Sequence, residues 1–195
     1  MTRHAVALAL GAVVAMPRGG FSQSPNGPPS GPLVAATFAF DAKATMGDFT
    51  GWTTKGTGEL KGADDVSGVR GWVQLPAAAL STENGKRDGH LREHINSKKF
   101  PTIRLEVSGA RQDSVRHDTT FVTLDAAFNI HGVTKSVTIP ARTIWDAQSL
   151  HVWATFPLDI RDYGMPPPKK LMGIARMDPV VRIRVEAVFG QPPHS

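Results

Sequence analysis

The sequence predicts a mainly β protein: an antiparallel barrel, closed or nearly so, with one short helix packed on it. Three observations carry this. Several segments alternate apolar and polar residues with period two, the pattern of a strand with one covered and one wet face. Glycine (19) and proline (15) are frequent, which favours many turns over a helical bundle. A single stretch, Arg87 to Asn96, has helical character and falls between the strands.

The chain opens on MTRHAVALALGAVVAM, a basic start (Arg3, His4) followed by an apolar run from Ala5 to Met16. A membrane-crossing helix needs about 20 apolar residues. The run is shorter and has the length of a signal-peptide core. Residues 1–24 are therefore expected to be a signal peptide, with Ser22 and Ser24 spaced as at a cleavage site and Pro25 directly after. Residues 25–34, rich in Pro and Gly, read as a linker. Residues 35–190 read as one domain and 191–195 as a tail. The expected location is the periplasm or the exterior.

The strands follow in order. TFAFDAK begins the series with Phe38 and Phe40 on one face. In PTIRLEV, Ile103, Leu105 and Val107 oppose Thr102, Arg104 and Glu106. VTLDAAFNI puts Val122, Leu124, Ala126, Phe128 and Ile130 together. VTIPA is a shorter case. LHVWATFPLDI aligns Leu150, Val152, Ala154, Phe156, Leu158 and Ile160, and VRIRVEAVF aligns Val181, Ile183, Val185, Ala187 and Phe189. The glycine-bearing stretches KGADDVSG, SGARQDS and HGVTK separate the runs as turns. In the helix, Asp88 is placed to cap the start, Leu91 and Ile95 form an apolar stripe, and Pro101 forces the chain extended soon after.

The absence of cysteine excludes disulfides, thiolate metal sites and cysteine nucleophiles. The formal charge is +5; loss of residues 1–24 removes Arg3 and Arg18 and no acid, leaving +3. The charges are scattered, and the pairs Lys98-Lys99 and Lys169-Lys170 stand apart from any run of aromatic residues. A nucleic-acid groove, which interleaves the two, is not expected.

With the elements placed, TENGKRDGHLREH followed by KKFPTIRLEV resembles the first signature of the YceI family. FNIHGVTKSVTIP resembles its second, and RDYGM with the later DPVVRIRVEAVF resembles its C-terminal part. FAFDAKATMGDFTGWT resembles its opening strands, so the likeness runs over roughly residues 35–190. The resemblance implies a lipocalin-like, eight-stranded antiparallel barrel, exported, with a long polyisoprenoid held inside in some members. Two positions depart from the family pattern: Ala44 stands where His is common, and Ile160 where Arg is common. The loop GMPPPKKLMG is unusually rich in proline.

Such a barrel is either filled by its own side chains or able to hold one ligand. Parity points Phe38, Phe40, Ile103, Leu105, Leu124, Phe128, Phe156, Ile160 and Ile183 inward, all of them apolar. Phe49, Leu91 and Tyr163 join them as expected cavity lining, and Arg87 and His90 are the polar rim candidates. A buried CH₂ contributes about 0.8 kcal/mol at most, so about four isoprene units yield ~16 kcal/mol gross. Association costs roughly 4–15 kcal/mol. A long prenyl tail can bind on apolar contact alone.

Three clusters carry residue types suited to sharper chemistry. His90, Glu93 and His94 match H-x-x-E-H, the inverted zinc-peptidase pattern. A third ligand is missing, because the later glutamates, Glu106 and Glu186, alternate outward on strands. The bland reading is an amphipathic surface helix with His90 partly packed and His94 solvated. His131, Thr134 and Lys135 lack an orienting acid nearby and read as turn residues. Asp88 and Arg87 are expected to fasten the helix, with a ligand head at the rim as the alternative role. Trp153, of outward parity, is expected under the helix or at a partner surface. The sequence therefore points to a non-enzymatic, cofactor-free barrel that binds a hydrophobic, isoprenoid-like small molecule, without stable membrane insertion. A filled barrel serving as an interaction or stress-response module is the second reading, and a zinc hydrolase a distant third. Monomer and homodimer are both compatible with the sequence.

Overall fold

A computed structural model describes residues 27–170 and 175–190. The expected signal peptide, the first two linker residues and the expected tail lie outside the described residues. The strands are β1 (Gly31–Ala42), β2 (Phe49–Thr53), β3 (Thr57–Lys61), β4 (Arg70–Pro76), β5 (Thr102–Arg116), β6 (Thr119–Ile130), β7 (Val133–Trp145) and β8 (Ser149–Asp159). The two-residue strands β9 (Lys169–Lys170) and β10 (Ala175–Arg176) precede the last strand, β11 (Val180–Gly190). One helix, α1 (Gly85–His94), lies between β4 and β5.

Consecutive hairpins build an antiparallel sheet in the order β3, β4, β5, β6, β7, β8, β11. Pairing of β11 with β1, and of Gly31 and Pro32 in β1 with Leu60 and Glu59 in β3, closes eight strands into a barrel. The extra strand β2 takes the other half of β1, with Phe38–Ala42 opposite Phe49–Thr53. Closure removes the open edges that a flat sheet of this size would expose. Because β1 is already paired at Gly31, the barrel begins inside the stretch that composition assigns to the linker. Pro32 is tolerated there because it stands at the start of a strand.

The alternation seen in the sequence becomes burial. Thr120, Val122, Ala126, Phe128 and Ile130 of β6 are all buried, and so are Leu150, Ala154, Phe156 and Leu158 of β8. In SGARQDS the expectation of a turn is overturned: β5 runs through it with two register shifts, at Val107/Gly109 and at Gln112/Ser114. These are β-bulges, which use the same Gly, Ser and Asp residues as turns do. The Asp113 carboxylate accepts a hydrogen bond from Thr123 Oγ1 at 2.7 Å beside the second shift. The true turn is His117-Asp118, with His117 at φ +57°.

One end of the barrel carries α1, the His131-Gly132 turn, the 3-10 turn Ile160–Tyr163 and the β9–β10 hairpin. At the other end, Leu60, Val69, Leu150, Ala187 and Phe189 form a small separate core. Among the described residues no helix is long and apolar enough to cross a membrane.

Candidate functional site

Helix α1 starts at Asn84, not Asp88. The Asn84 side chain accepts from the Arg87 N–H at 3.0 Å, and Asn96, at φ +53°, ends the helix in the left-handed conformation. Asp88 instead reaches back to the preceding loop. It accepts from the Thr82 N–H at 2.7 Å, the Thr82 hydroxyl at 2.6 Å and the Ser81 hydroxyl at 2.9 Å. The Thr82 bonds, above all, hold its carboxyl below the usual carboxylate range. Arg87 adds a second tie, with Nε 2.8 Å from Thr82 Oγ1 and Nη2 2.9 Å from the Thr82 carbonyl. Its guanidinium lies 4.7 Å above the centre of the Phe49 ring. The helix is thereby pinned across one end of the barrel.

Beneath it the barrel is hollow. A chamber of about 730 Å³ runs inward from α1. Phe38, Phe40, Phe49, Leu91, Ile103, Leu105, Phe128, Phe156, Ile160 and Ile183 line it, and Arg87 and His90 stand at its rim. Two expected residues are elsewhere. Leu124 borders a second, wholly apolar chamber of about 90 Å³ toward the far end, because it lies four residues before Phe128 on β6, away from the end that carries α1. Tyr163 lines neither chamber. It packs behind the wall, with its ring 5.8 Å from that of Phe128. Burial pushes its hydroxyl pKa up to about 12, so it stays protonated.

Other lining residues continue the same inward parity: Ile130 beyond Phe128, Leu158 beyond Phe156, and Val181 and Val185 around Ile183. Parity alone contains that signal. Met165 and Met177 arrive from mouth loops, where no periodicity marks them. Ala44 and Ile160, the two departures from the family pattern, both line the chamber.

The histidines of α1 exchange their expected places. His90 is exposed, whereas His94 is half-buried on the chamber wall. Arg87, Leu91 and His94 stand at i, i+4 and i+7, which brings all three to one helix face. Burial, and then the neighbouring His131, lower the His94 pKa from its usual 6.5. His131 itself packs against Phe100 at 4.8 Å, with Nδ1 3.1 Å from the Tyr163 carbonyl oxygen. Glu106 pairs with Arg104 at 3.6 Å on β5, and Glu186 lies opposite Trp153 on β8, so neither glutamate serves the helix. Among the described residues no group of three or more His, Asp or Glu is placed to hold a metal ion. Trp153 is not under α1; it sits on the barrel wall, stacked on His151 at 5.8 Å with Arg142 at 4.8 Å.

Eight antiparallel strands closed round an apolar chamber, with a single helix at the mouth, define a lipocalin-like barrel. The sequence profile of the YceI-like domain matches residues 34–189, and the chain belongs to the YceI family. Solved structures with the same fold include BcnA of Burkholderia cenocepacia, at 12% identity and a TM-score of 0.65, over 78% of this chain and 95% of that one. A polyisoprenoid binding domain from Saccharophagus degradans, implicated in plant cell wall breakdown, aligns at 14% identity and 0.65, over 83% and 98%. The Campylobacter jejuni YceI protein aligns at 15% identity and 0.51, over 63% and 72%. No curated protein matches the chain in sequence.

Proposed function

We propose that this protein is an exported carrier that holds a polyisoprenoid or prenyl-tailed lipid in its main chamber and performs no covalent chemistry. The observation that carries this reading is the chamber itself. Its volume, about 730 Å³, falls in the range of roughly 300–1,000 Å³ typical of small-molecule sites. Its wall is aliphatic and aromatic over almost its whole area, with polar groups gathered on α1 and the mouth loops. Such a wall rewards a long hydrocarbon and offers little to a polar solute. The polyisoprenoid-binding domain that shares the fold supports the same ligand class. Export rests on the basic start and apolar run of residues 3–16. The hollow interior gives no support to a barrel filled by its own side chains.

The test is organic extraction of the protein purified from its host, with mass spectrometry of what co-purifies. A prenyl lipid in stoichiometric amount is the expected result. A protein that yields none, and takes up no added prenyl alcohol, removes the reading. Fractionation of cells expressing the full chain tests export separately.

A further inference from the structure

The rim of the main chamber holds an apolar side chain out in solvent. Met46 is 76% exposed, more than any other large apolar side chain among the described residues. It lies in the turn that joins β1 to β2 and borders the mouth of the chamber with Ala44 and Gly47. The turn is fixed on both sides. The Gly47 N–H donates to the Ala44 carbonyl at 3.0 Å, and the Thr45 N–H donates to the Arg176 carbonyl on β10 at 3.0 Å. The Ala44 N–H donates to Asp48 Oδ1 at 3.2 Å. Folding Met46 inward would break these bonds, so the turn presents it outward.

One exposed apolar residue decides nothing by itself. The charge at the same end does. Helix α1 and the loop that follows it expose Lys86, Arg92, Lys98 and Lys99 against one exposed acid, Glu93, because Asp88 is buried. Lys99 Nζ stands 5.2 Å from the centre of the Phe100 ring, which packs against His131, so this cationic edge reaches the β6–β7 hairpin. The other exposed charges of this end nearly cancel. Lys43, Lys135 and Arg176 stand against Asp48, Glu83, Asp162 and Asp178, and Arg161 is paired with Asp159. The far end has no such excess: Lys61 and Arg70 flank Asp64 and Asp65, and Arg111 and Arg116 flank Asp113.

We propose that the α1 end of the barrel docks on an anionic phospholipid bilayer. Met46 enters the head-group layer, and the cations of α1 and its trailing loop meet the lipid phosphates. The proposal extends the carrier reading: a prenyl lipid too apolar for water has to be collected from a bilayer, and a mouth seated on that bilayer spares the tail a passage through water. A cation near an anionic surface strengthens binding about fivefold, within a Debye length of about 10 Å at 0.1 M salt. A small apolar anchor binds weakly alone, so the two features work together, as paired membrane signals do.

The test is flotation of the full chain with phosphatidylcholine vesicles, with and without phosphatidylglycerol, at low and high salt. The vesicles contain no prenyl lipid, so docking is read apart from carriage. Binding is expected on the anionic vesicles, with little on the neutral ones and a loss at high salt. Lys98→Gln with Lys99→Gln should weaken binding by up to about 25-fold. Lys61→Gln with Arg116→Gln removes the same charge from the far end and should change it little. Met46→Ser should weaken it by about three- to tenfold. The chain has no cysteine, so a polarity-sensitive fluorophore can be placed on Met46→Cys, at the mouth, or on Val115→Cys, in β5 toward the far end. The probe at 46 should shift to the blue on anionic vesicles, and the probe at 115 should not. No flotation with anionic vesicles, equal losses from the two double variants, or a shift at 115 without one at 46 overturns the proposal. A protein that carries prenyl lipid and does not float keeps the carrier reading and loses this surface; one that floats and carries none keeps the surface and loses the carrier reading.

Discussion

Asp88 is the residue on which the placement of α1 turns. It is only 8% exposed, and its three hydrogen bonds go to Ser81 and Thr82, in the loop just before the helix. A carboxylate is suited to this work because it accepts several bonds and donates none. The interaction lowers its pKa below 3.8 in the folded chain. The stabilisation it gives is therefore fully present above pH 3.8 and is lost as the pH falls through the folded value. Replacement Asp88→Asn keeps the shape and removes the charge. The variant should be less stable by about 1–2 kcal/mol at neutral pH. Urea unfolding across the acid range checks this: the gap between native and variant should close below pH 3.8. A gap that persists in strong acid would show that the bonds, and not the charge, hold the helix.

At the scale of single elements, the tightest constraint sits in the β6–β7 hairpin. His131 and Gly132 both have positive φ, +56° and +76°, the geometry of a type I′ turn. A Cβ on Gly132 would also collide with the Phe100 ring, which itself packs edge-on against His131. Gly132→Ala should therefore cost about 1–3 kcal/mol, from backbone strain and the displaced ring together. Denaturant midpoints for this variant, beside an alanine at the open position Gly85, separate strain from loss of glycine alone. The hairpin was legible because glycine after a polar residue between two alternating runs has few other uses. The bulges of β5 were not, because Gly109 and Asp113 serve a bulge as readily as a turn, and only pairing with β6 decides between them. The helix was legible in existence but two residues off in position. Asn84 and Asp88 are both good caps, and Gly85 at the first helical position disguised the earlier one. Among the site residues, strand parity found most of the chamber wall. His94 escaped because histidine reads as polar, although its i+3 spacing from Leu91 already placed it on the apolar flank.

The molecule as a whole is a tube with a partition. The main chamber, about 730 Å³, and the far chamber, about 90 Å³, share four lining residues: Val73, Leu105, Phe156 and Val185. They come from β4, β5, β8 and β11, so they form a waist drawn from both sides of the barrel. Phe156 is the largest, and the Phe128 ring meets it edge-on at 6.3 Å between centres. A tail entering from the α1 end meets this waist as a stop. If the carrier reading holds, affinity should rise with each added isoprene unit, by up to about fourfold per buried CH₂, and then level off where the tail reaches Phe156. Phe156→Ala removes the ring that separates the two chambers. It will cost stability, since large-to-small core changes of this kind run to about 3–5 kcal/mol. A ligand able to occupy the opened space should recover part of that loss. The decisive measurement is affinity against isoprene number for a series of prenyl alcohols. In the variant the plateau should move to longer chains, with short-chain binding weakened or unchanged. A plateau at the same length in both proteins would place the stop elsewhere than Phe156, and a uniform loss at every length would mean that the ring supports the chamber wall without measuring the tail.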